Sequence, residues 1–188
     1  ALQERLDWLR EDHPTARVVG AMDEAEVDYD SPAAWDAHMI PIRALLDEPV
    51  DAVFTSDPYG AELARRLDAT WVQVDAGRTD NQISGTAVRA DLAGHWHELS
   101  AATRAGPAAR VVVLGAESTG STTLAEELAA HFGAAWVPEY GREHTITRDG
   151  GLDEPWRPDE FDLIVERQIA WEDAALRRTP VPLLVCDT

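Results

Sequence analysis

The chain contains no lysine. All sixteen of its basic residues are arginine, set against 35 acidic ones, for a formal net charge of −19 over 188 residues. That balance disfavours a nucleic-acid partner, because such surfaces need a concentrated positive footprint. An anionic ligand must be held by arginines focused locally against an unfavourable overall field. Cysteine is almost missing. Cys186 stands alone in an apolar run, so no disulfide can form within the chain, which suits a reducing cytoplasm. No apolar run reaches membrane-spanning length, and no membrane partner is expected. Internal repeats and low-complexity tracts are absent as well. What is present is 45% hydrophobic, enough for one domain or two small ones.

Strand and helix signals alternate along the chain. Arg17 to Gly20 reads as a short strand. Ser31 caps, and Pro32 opens, a helix running to about Leu46, with Pro41 inside it. Val50 to Thr55 and Trp71 to Val74 read as strands around a helix from Tyr59 to Leu67. This alternation predicts a parallel α/β sheet, with ligands at the carboxyl ends of its strands. Thr55, Ser56 and Asp57 fall at one such end, and Asp75 to Asp80 at another. The small, breaker-containing stretch Ser100 to Ala109 is read as the domain junction. A second series follows: strand Arg110 to Leu114, helix Ser121 to Phe132, strand Ala135 to Val137, and a Gly-, Pro- and acid-rich loop. A long helix from Pro158 to Arg178 comes next, with Phe161, Ile164, Val165, Ile169 and Leu176 on its buried side. An apolar strand, Val181 to Cys186, completes the series.

Gly115 to Thr122 read Gly-Ala-Glu-Ser-Thr-Gly-Ser-Thr between the strand and helix signals of that series. This is phosphate-loop spacing, with Ser121 where a lysine belongs. Glycines let successive N–H groups curl inward toward an anion, and the helix N-terminus adds partial positive charge. The expected ATP-binding residues are Gly115, Glu117, Ser118, Thr119, Gly120, Ser121, Thr122 and Thr123, and the Thr122 hydroxyl is the expected Mg2+ ligand. Without its flanks the octet reads equally as a Gly-Ser-Thr-rich turn. Arg142 and Arg148 are the candidates to replace the missing lysine charge.

Ile83 to Arg89 match the Ile-Ser-x-Thr-x-x-Arg signature of nucleotidyltransferases. Ser84, Thr86 and the start of a helix can donate to phosphate oxygens, and Arg89 can balance charge on leaving pyrophosphate. The bland reading is an N-capped helix start. Arg78, six residues before Ser84, is a further phosphate candidate or an ordinary surface arginine. Glu139 and Arg142 follow the strand beyond which a P-loop kinase places its acceptor. Glu139 can take the proton of an attacking hydroxyl, and Arg142 can steady the transferring group. A surface Glu-Arg pair is the alternative. Asp187 ends the last strand, where a P-loop protein holds a metal- or ribose-contacting acid. Trp35, Trp71, Trp96, Trp136 and Trp171 are potential stacking partners, although core packing is the commoner fate of such residues.

Taken together and in order, these motifs resemble the NadR-type bifunctional enzymes of NAD biosynthesis. The stretches that carry the resemblance are Val53 to Gly60, Asp75 to Arg78, Ile83 to Arg89, His95-Trp96, Gly115 to Thr123, Glu139 to Glu143 and Asp187-Thr188. The resemblance implies a Rossmann-like nucleotidyltransferase half over 1–105, then a P-loop kinase-like parallel α/β unit over 106–188. It implies adenylyl transfer to nicotinamide mononucleotide and phosphorylation of nicotinamide riboside, with ATP and Mg2+. It leaves a homo-oligomer open. One family feature is missing: no His-x-Gly-His motif occurs. The chain opens inside an amphipathic helix and stops as a strand reaches its acidic end, as expected of the interior of a longer protein. A second reading is an ATP- or NAD-binding regulatory module, its kinase activity weakened because Ser121 carries no charge.

Overall fold

Two parallel sheets form, each in its own unit. The computed structural model describes residues 2–116 and 118–188, and the chain separates into Ala1–Gly85 and Thr86–Thr188.

The first unit contains α1 (Leu2–Asp12), α2 (Pro32–Ala44), β1 (Ala52–Thr55), α3 (Gly60–Leu67) and β2 (Thr70–Gln73). The Ser31 hydroxyl accepts from the Ala34 N–H at 3.3 Å, and Pro32 fills the first helical turn, so α2 starts where its caps dictate. Pro41 removes one helical donor, and α2 ends at Ala44, short of Leu46. β1 and β2 pair in parallel, with Val53 opposite Trp71. Gly60 starts α3 in a crowded corner. A Cβ there would lie 1.8 Å from Thr55 Oγ1 and 2.4 Å from Trp71 Nε1. The segment Arg17 to Gly20 is not a strand. Its Val18 carbonyl accepts from Arg10 Nη2 at 3.2 Å, a side-chain partner in place of a ladder.

The second unit holds α4 (Gly85–Ala90, starting at the boundary), a 3-10 turn (Trp96–Glu98), α5 (Ala101–Arg104), β3 (Ala109–Val113), α6 (Ser121–Phe132) and β4 (Ala135–Val137). α7 (Tyr140–Thr147), a 3-10 turn (Gly151–Asp153), α8 (Pro158–Leu176) and β5 (Leu183–Asp187) follow. The sheet order is β3-β5-β4, all parallel, so β5 lies in the middle. Its side chains alternate between two cores. On one face Val185 packs with Val113, Ala125 and Ala129. On the other, Leu184 and Cys186 pack with Val137 and Leu176. Helices therefore cover both faces, and the chain is α/β as the strand-helix alternation predicts.

Two expectations change. The stretch Ser100 to Ala109 becomes α5 and the lead into β3, inside the second unit, while the division between units falls at Gly85. Trp96 shows why: it is 2% exposed, and its Nε1 donates to the Thr179 carbonyl at 2.7 Å. The buried side of α8 is also rotated from the expected one. Leu176 is buried and Ile164 half-buried, but Phe161, Val165 and Ile169 are at least half exposed. Glu160 is buried instead, because an arginine partner described below meets it. Among the described residues, no helix is long and apolar enough to cross a membrane.

Candidate functional site

The loop between β3 and α6 takes its path from local sterics. A Cβ on Gly115 would stand 2.6 Å from Thr119 Oγ1 and 3.1 Å from Ser121 Cβ. Ser118 and Gly120 adopt φ of 65° and 88°, the region glycine favours. Thr119 Oγ1 donates back to the Ala116 carbonyl at 2.6 Å. The loop then leads into the N-terminus of α6, where the first-turn N–H groups of a helix have no intrahelical partner. Glu117, expected to bind ATP, lies outside the described residues.

Sheet register brings the next groups in. Val113 pairs with Asp187, so the last residue of β5 stands beside the start of the loop. Asp187 is 1% exposed, and its Oδ2 accepts from Thr122 Oγ1 at 2.6 Å. Thr122 Oγ1 in turn accepts from Arg142 Nη2 at 3.0 Å. Glu139 Oε2 stands 3.7 Å from the same guanidinium. The start of α7, which carries Arg142, is fixed by the Tyr140 N–H donating to Gln168 Oε1 at 2.8 Å. Of these groups Glu139 and Arg142 line a cleft of about 600 Å³, and Thr122 and Asp187 connect to it through the Arg142 guanidinium. Gly115, Ala116, Ser118, Ser121 and Thr188 form its loop side, and Glu139, Gly141, Arg142 and Thr145 its α7 side. Ile146, Leu152, Trp156, Phe161 and Ile164 supply an apolar wall.

Thr122 and Asp187 are the oxygens that could hold a metal. Among the described residues no group of three His, Cys, Asp or Glu gathers anywhere. Magnesium needs no such group, since it keeps waters and phosphate oxygens in most of its positions.

The other expected residues lie elsewhere. Thr123 is exposed on α6 and is absent from the cleft lining. Thr86 and Arg89 sit on α4, where Arg89 Nη2 donates to Thr86 Oγ1 at 3.3 Å, and neither lines the cleft. Ser84 precedes α4 at the end of the first unit. Arg78 donates to Asp57 Oδ1 at 3.1 Å. Asp75 organises the turn after β2. It accepts from the N–H groups of Asn81, Asp80 and Thr79, which hold its carboxyl below the usual range.

Arg148 is spent on structure. It donates to both Glu160 oxygens, at 2.8 and 2.9 Å, and to the carbonyls of Gly151, Glu154 and Pro155. The Arg148 hydrogen bonds, followed by the Arg157 N–H, pull the Glu160 carboxyl down to about 2. The same guanidinium lies 4.3 Å from the Trp156 ring centre. Trp156 is the aromatic that sequence reasoning passed over. Its signal was a tryptophan alone in a Gly-, Pro- and acid-rich loop. Phe161 stacks beside it at 5.5 Å and 30°. Of the tryptophans considered as stacking partners, Trp96 is core, Trp171 meets the Tyr140 ring edge-on, and Trp71 Nε1 donates to Thr55 Oγ1. Trp136 packs against the α6-side core, and Trp35 lines a separate recess of about 820 Å³ in the first unit. There the rings of Tyr29 and Tyr59 already stack on each other, 5.6 Å apart.

Comparison with known proteins agrees with the motif order. A family model described as an AAA domain matches residues 110–188. Over 181 residues, 93% of its length, the chain is 26% identical to the trifunctional NAD biosynthesis/regulator protein NadR of Escherichia coli (strain K12). Over 183 residues, 94% of its length, it is 26% identical to the protein of the same name from Salmonella typhimurium (strain LT2). The chain spans 44% of each relative, less than half their length. Two crystal structures of NadR protein superpose over the whole chain with a TM-score of 0.64 and 23% identity. One is a complex with NR, of which the chain covers 54%, and the other a complex with NAD and AMP-PNP, of which it covers 56%. These likenesses establish a shared fold, and the resemblance drawn from the motifs holds along nearly the full sequence.

Proposed function

We propose that the second unit is a nucleoside kinase of NAD biosynthesis, which phosphorylates nicotinamide riboside with ATP. The observation that carries this reading is the chain of contacts from Asp187 through Thr122 and Arg142 to Glu139 at the carboxyl end of a parallel sheet, with Arg142 and Glu139 lining one cleft. In this reading the loop N–H groups of residues 118–122 cradle the ATP phosphates. Thr122 and Asp187 would hold magnesium, which would neutralise charge on the phosphates. Glu139 accepts the proton of the nucleoside 5′-hydroxyl as its oxygen bonds to the γ-phosphorus and the bond to the β-phosphate oxygen breaks. The cationic nicotinamide ring is received by the aromatic wall of Trp156 and Phe161. The first unit is read as part of a Rossmann-like adenylyltransferase, in which Ser84, Thr86 and Arg89 would serve the departing pyrophosphate. Without a His-x-Gly-His cradle, adenylyl transfer by these 188 residues is expected to be absent.

A second reading rests on Ser121. A loop without its cation suits an ATP- or NAD-binding regulatory module with little turnover. The two separate in one assay. The chain is incubated with Mg-ATP and nicotinamide riboside, or with Mg-ATP and nicotinamide mononucleotide, and products are resolved by chromatography. The kinase reading expects mononucleotide and ADP in equal amounts from the first mixture, loss of both in Glu139→Gln, and no NAD from the second. Tight ATP or NAD binding without mononucleotide formation would instead select the regulatory reading.

A further inference from the structure

We propose that Arg142 carries the positive charge that the loop lacks at Ser121, moving from the Thr122 hydroxyl onto the outer phosphates of a bound nucleoside triphosphate. The inference rests on the kinase reading of this cleft, and it concerns one residue's task within that reading.

The need comes from charge. A triphosphate must be held in a protein of net charge −19, by a loop whose cationic position is a serine. Backbone N–H groups and the start of α6 supply only partial charges. Ser121 lines the cleft but offers a neutral hydroxyl. Among the described residues lining the cleft, Arg142 is the one with a permanent positive charge.

Its present bonds are easily exchanged. Arg142 Nη2 donates to a neutral hydroxyl at 3.0 Å, and the Glu139 carboxylate stands 3.7 Å from it, beyond good hydrogen-bond length. The side chain is 59% exposed. A guanidinium has five N–H donors, so most of its capacity remains for phosphate oxygens, which it can meet in pairs. The backbone beneath it is firm, because the Tyr140 N–H is held by Gln168 and the Tyr140 ring by Trp171. The long side chain can therefore swing from a fixed root.

Arg148 cannot do the same. Its side chain is 3% exposed and already donates to two carboxylate oxygens and three carbonyls. Releasing it would take the guanidinium partner from the buried Glu160, a loss that one phosphate contact does not offset. The Thr122 oxygen also gives Arg142 a reason to leave. That oxygen is the expected metal ligand, and a guanidinium bonded to it would face the cation directly. Loading metal-bound triphosphate therefore drives Arg142 off the hydroxyl and toward the anionic oxygens.

The test is titration calorimetry of AMP-PNP and of AMP, with and without magnesium, on five forms of the chain. These are the unaltered protein, Arg142→Ala, Arg142→Lys, Ser121→Lys and the double variant Ser121→Lys/Arg142→Ala. Arg142→Ala should weaken AMP-PNP by about ten- to a hundredfold, the value of one charge-assisted contact. AMP, which lacks the outer phosphates, should change by less than about threefold. Arg142→Lys should keep most of the affinity, which separates lost charge from lost folding. Ser121→Lys should gain less than about threefold when Arg142 is present, yet recover about tenfold or more when it is not. Arg142→Ala binding AMP-PNP as tightly as the unaltered chain would overturn the proposal, as would a Ser121→Lys gain independent of Arg142. An unaltered chain that binds neither nucleotide would remove the kinase reading itself, an outcome distinct from either of these.

Discussion

Trp96 ties the segment ahead of β3 into the second unit through one atom. Its indole N–H reaches the Thr179 carbonyl, and both residues are buried. Trp96→Phe keeps most of the apolar bulk and deletes the donor. A buried carbonyl left unpaired costs about 1–3 kcal/mol. The melting temperature should therefore fall by several degrees, and calorimetric unfolding of the variant checks this. Nucleotide affinity should stay unchanged, since Trp96 does not line the cleft. At this scale the sequence marked polar residues of the candidate site that the structure brings together as neighbours. Loop spacing placed Gly115, Ser121 and Thr122, and strand ends placed Glu139 and Asp187, because a parallel strand presents its final residues to the same edge. Trp156 was not readable. Its position depends on Arg148 and Glu160, twelve residues apart in sequence, finding each other in a buried pair. No local pattern announces that meeting. The two candidate arginines looked equivalent for the same reason, and only the partners of Arg148 distinguish them.

That buried pair belongs to the meeting of α7 with α8. Glu160 accepts from Arg148 and from the Arg157 N–H, and His144 Nε2 lies 3.1 Å from it. It thereby fastens the loop that presents Leu152 and Trp156 to the start of α8. Its carboxyl titrates at about 2 when folded, against an ordinary value of 4.5. A depressed carboxylate contributes its stability fully above the unfolded value and loses it as pH falls toward the folded one. Unfolding free energy should therefore decline as pH drops from 4.5 toward 2. Glu160→Gln should be less stable at neutral pH and show a flatter decline, as read by denaturant titration across that range. An equally steep acid limb in both proteins would refute the assignment. Elements with their own signals were legible: α6 and β4 occupy the predicted residues because turn chemistry bounds them on each side. The face of α8 was not legible. Its apolar residues number more than one stripe can bury, and the pairing of Glu160 turned the helix so that Phe161 borders the cleft. Val18 and Val19 misled for a related reason, since an apolar run becomes a strand only where a neighbouring strand awaits it.

Across the whole molecule charge is lopsided, and the surplus decides the response to salt. Surface ion pairs, such as Arg65 with Glu62, weaken on screening. The sixteen arginines can pair with at most sixteen of the 35 acids, so nineteen negative charges repel without compensation. Repulsion is the larger effect. The melting temperature should rise as potassium chloride increases from about 0.05 to about 1 M, a range over which the screening length shrinks several-fold. A flat or falling trend in differential scanning calorimetry would refute this. The strand order carries a consequence for how the chain is made. Among the described strands, β3 and β4 each pair with β5 alone, which follows them in sequence. While a ribosome is still extending the chain toward residue 183, each earlier strand has no ladder partner, and the valines of β3 have no sheet to join. Domain-by-domain folding during synthesis must therefore wait in this unit for its middle strand. The strand that completes the sheet also brings Asp187 to Thr122, so the cleft is assembled in the same event as the sheet beneath it.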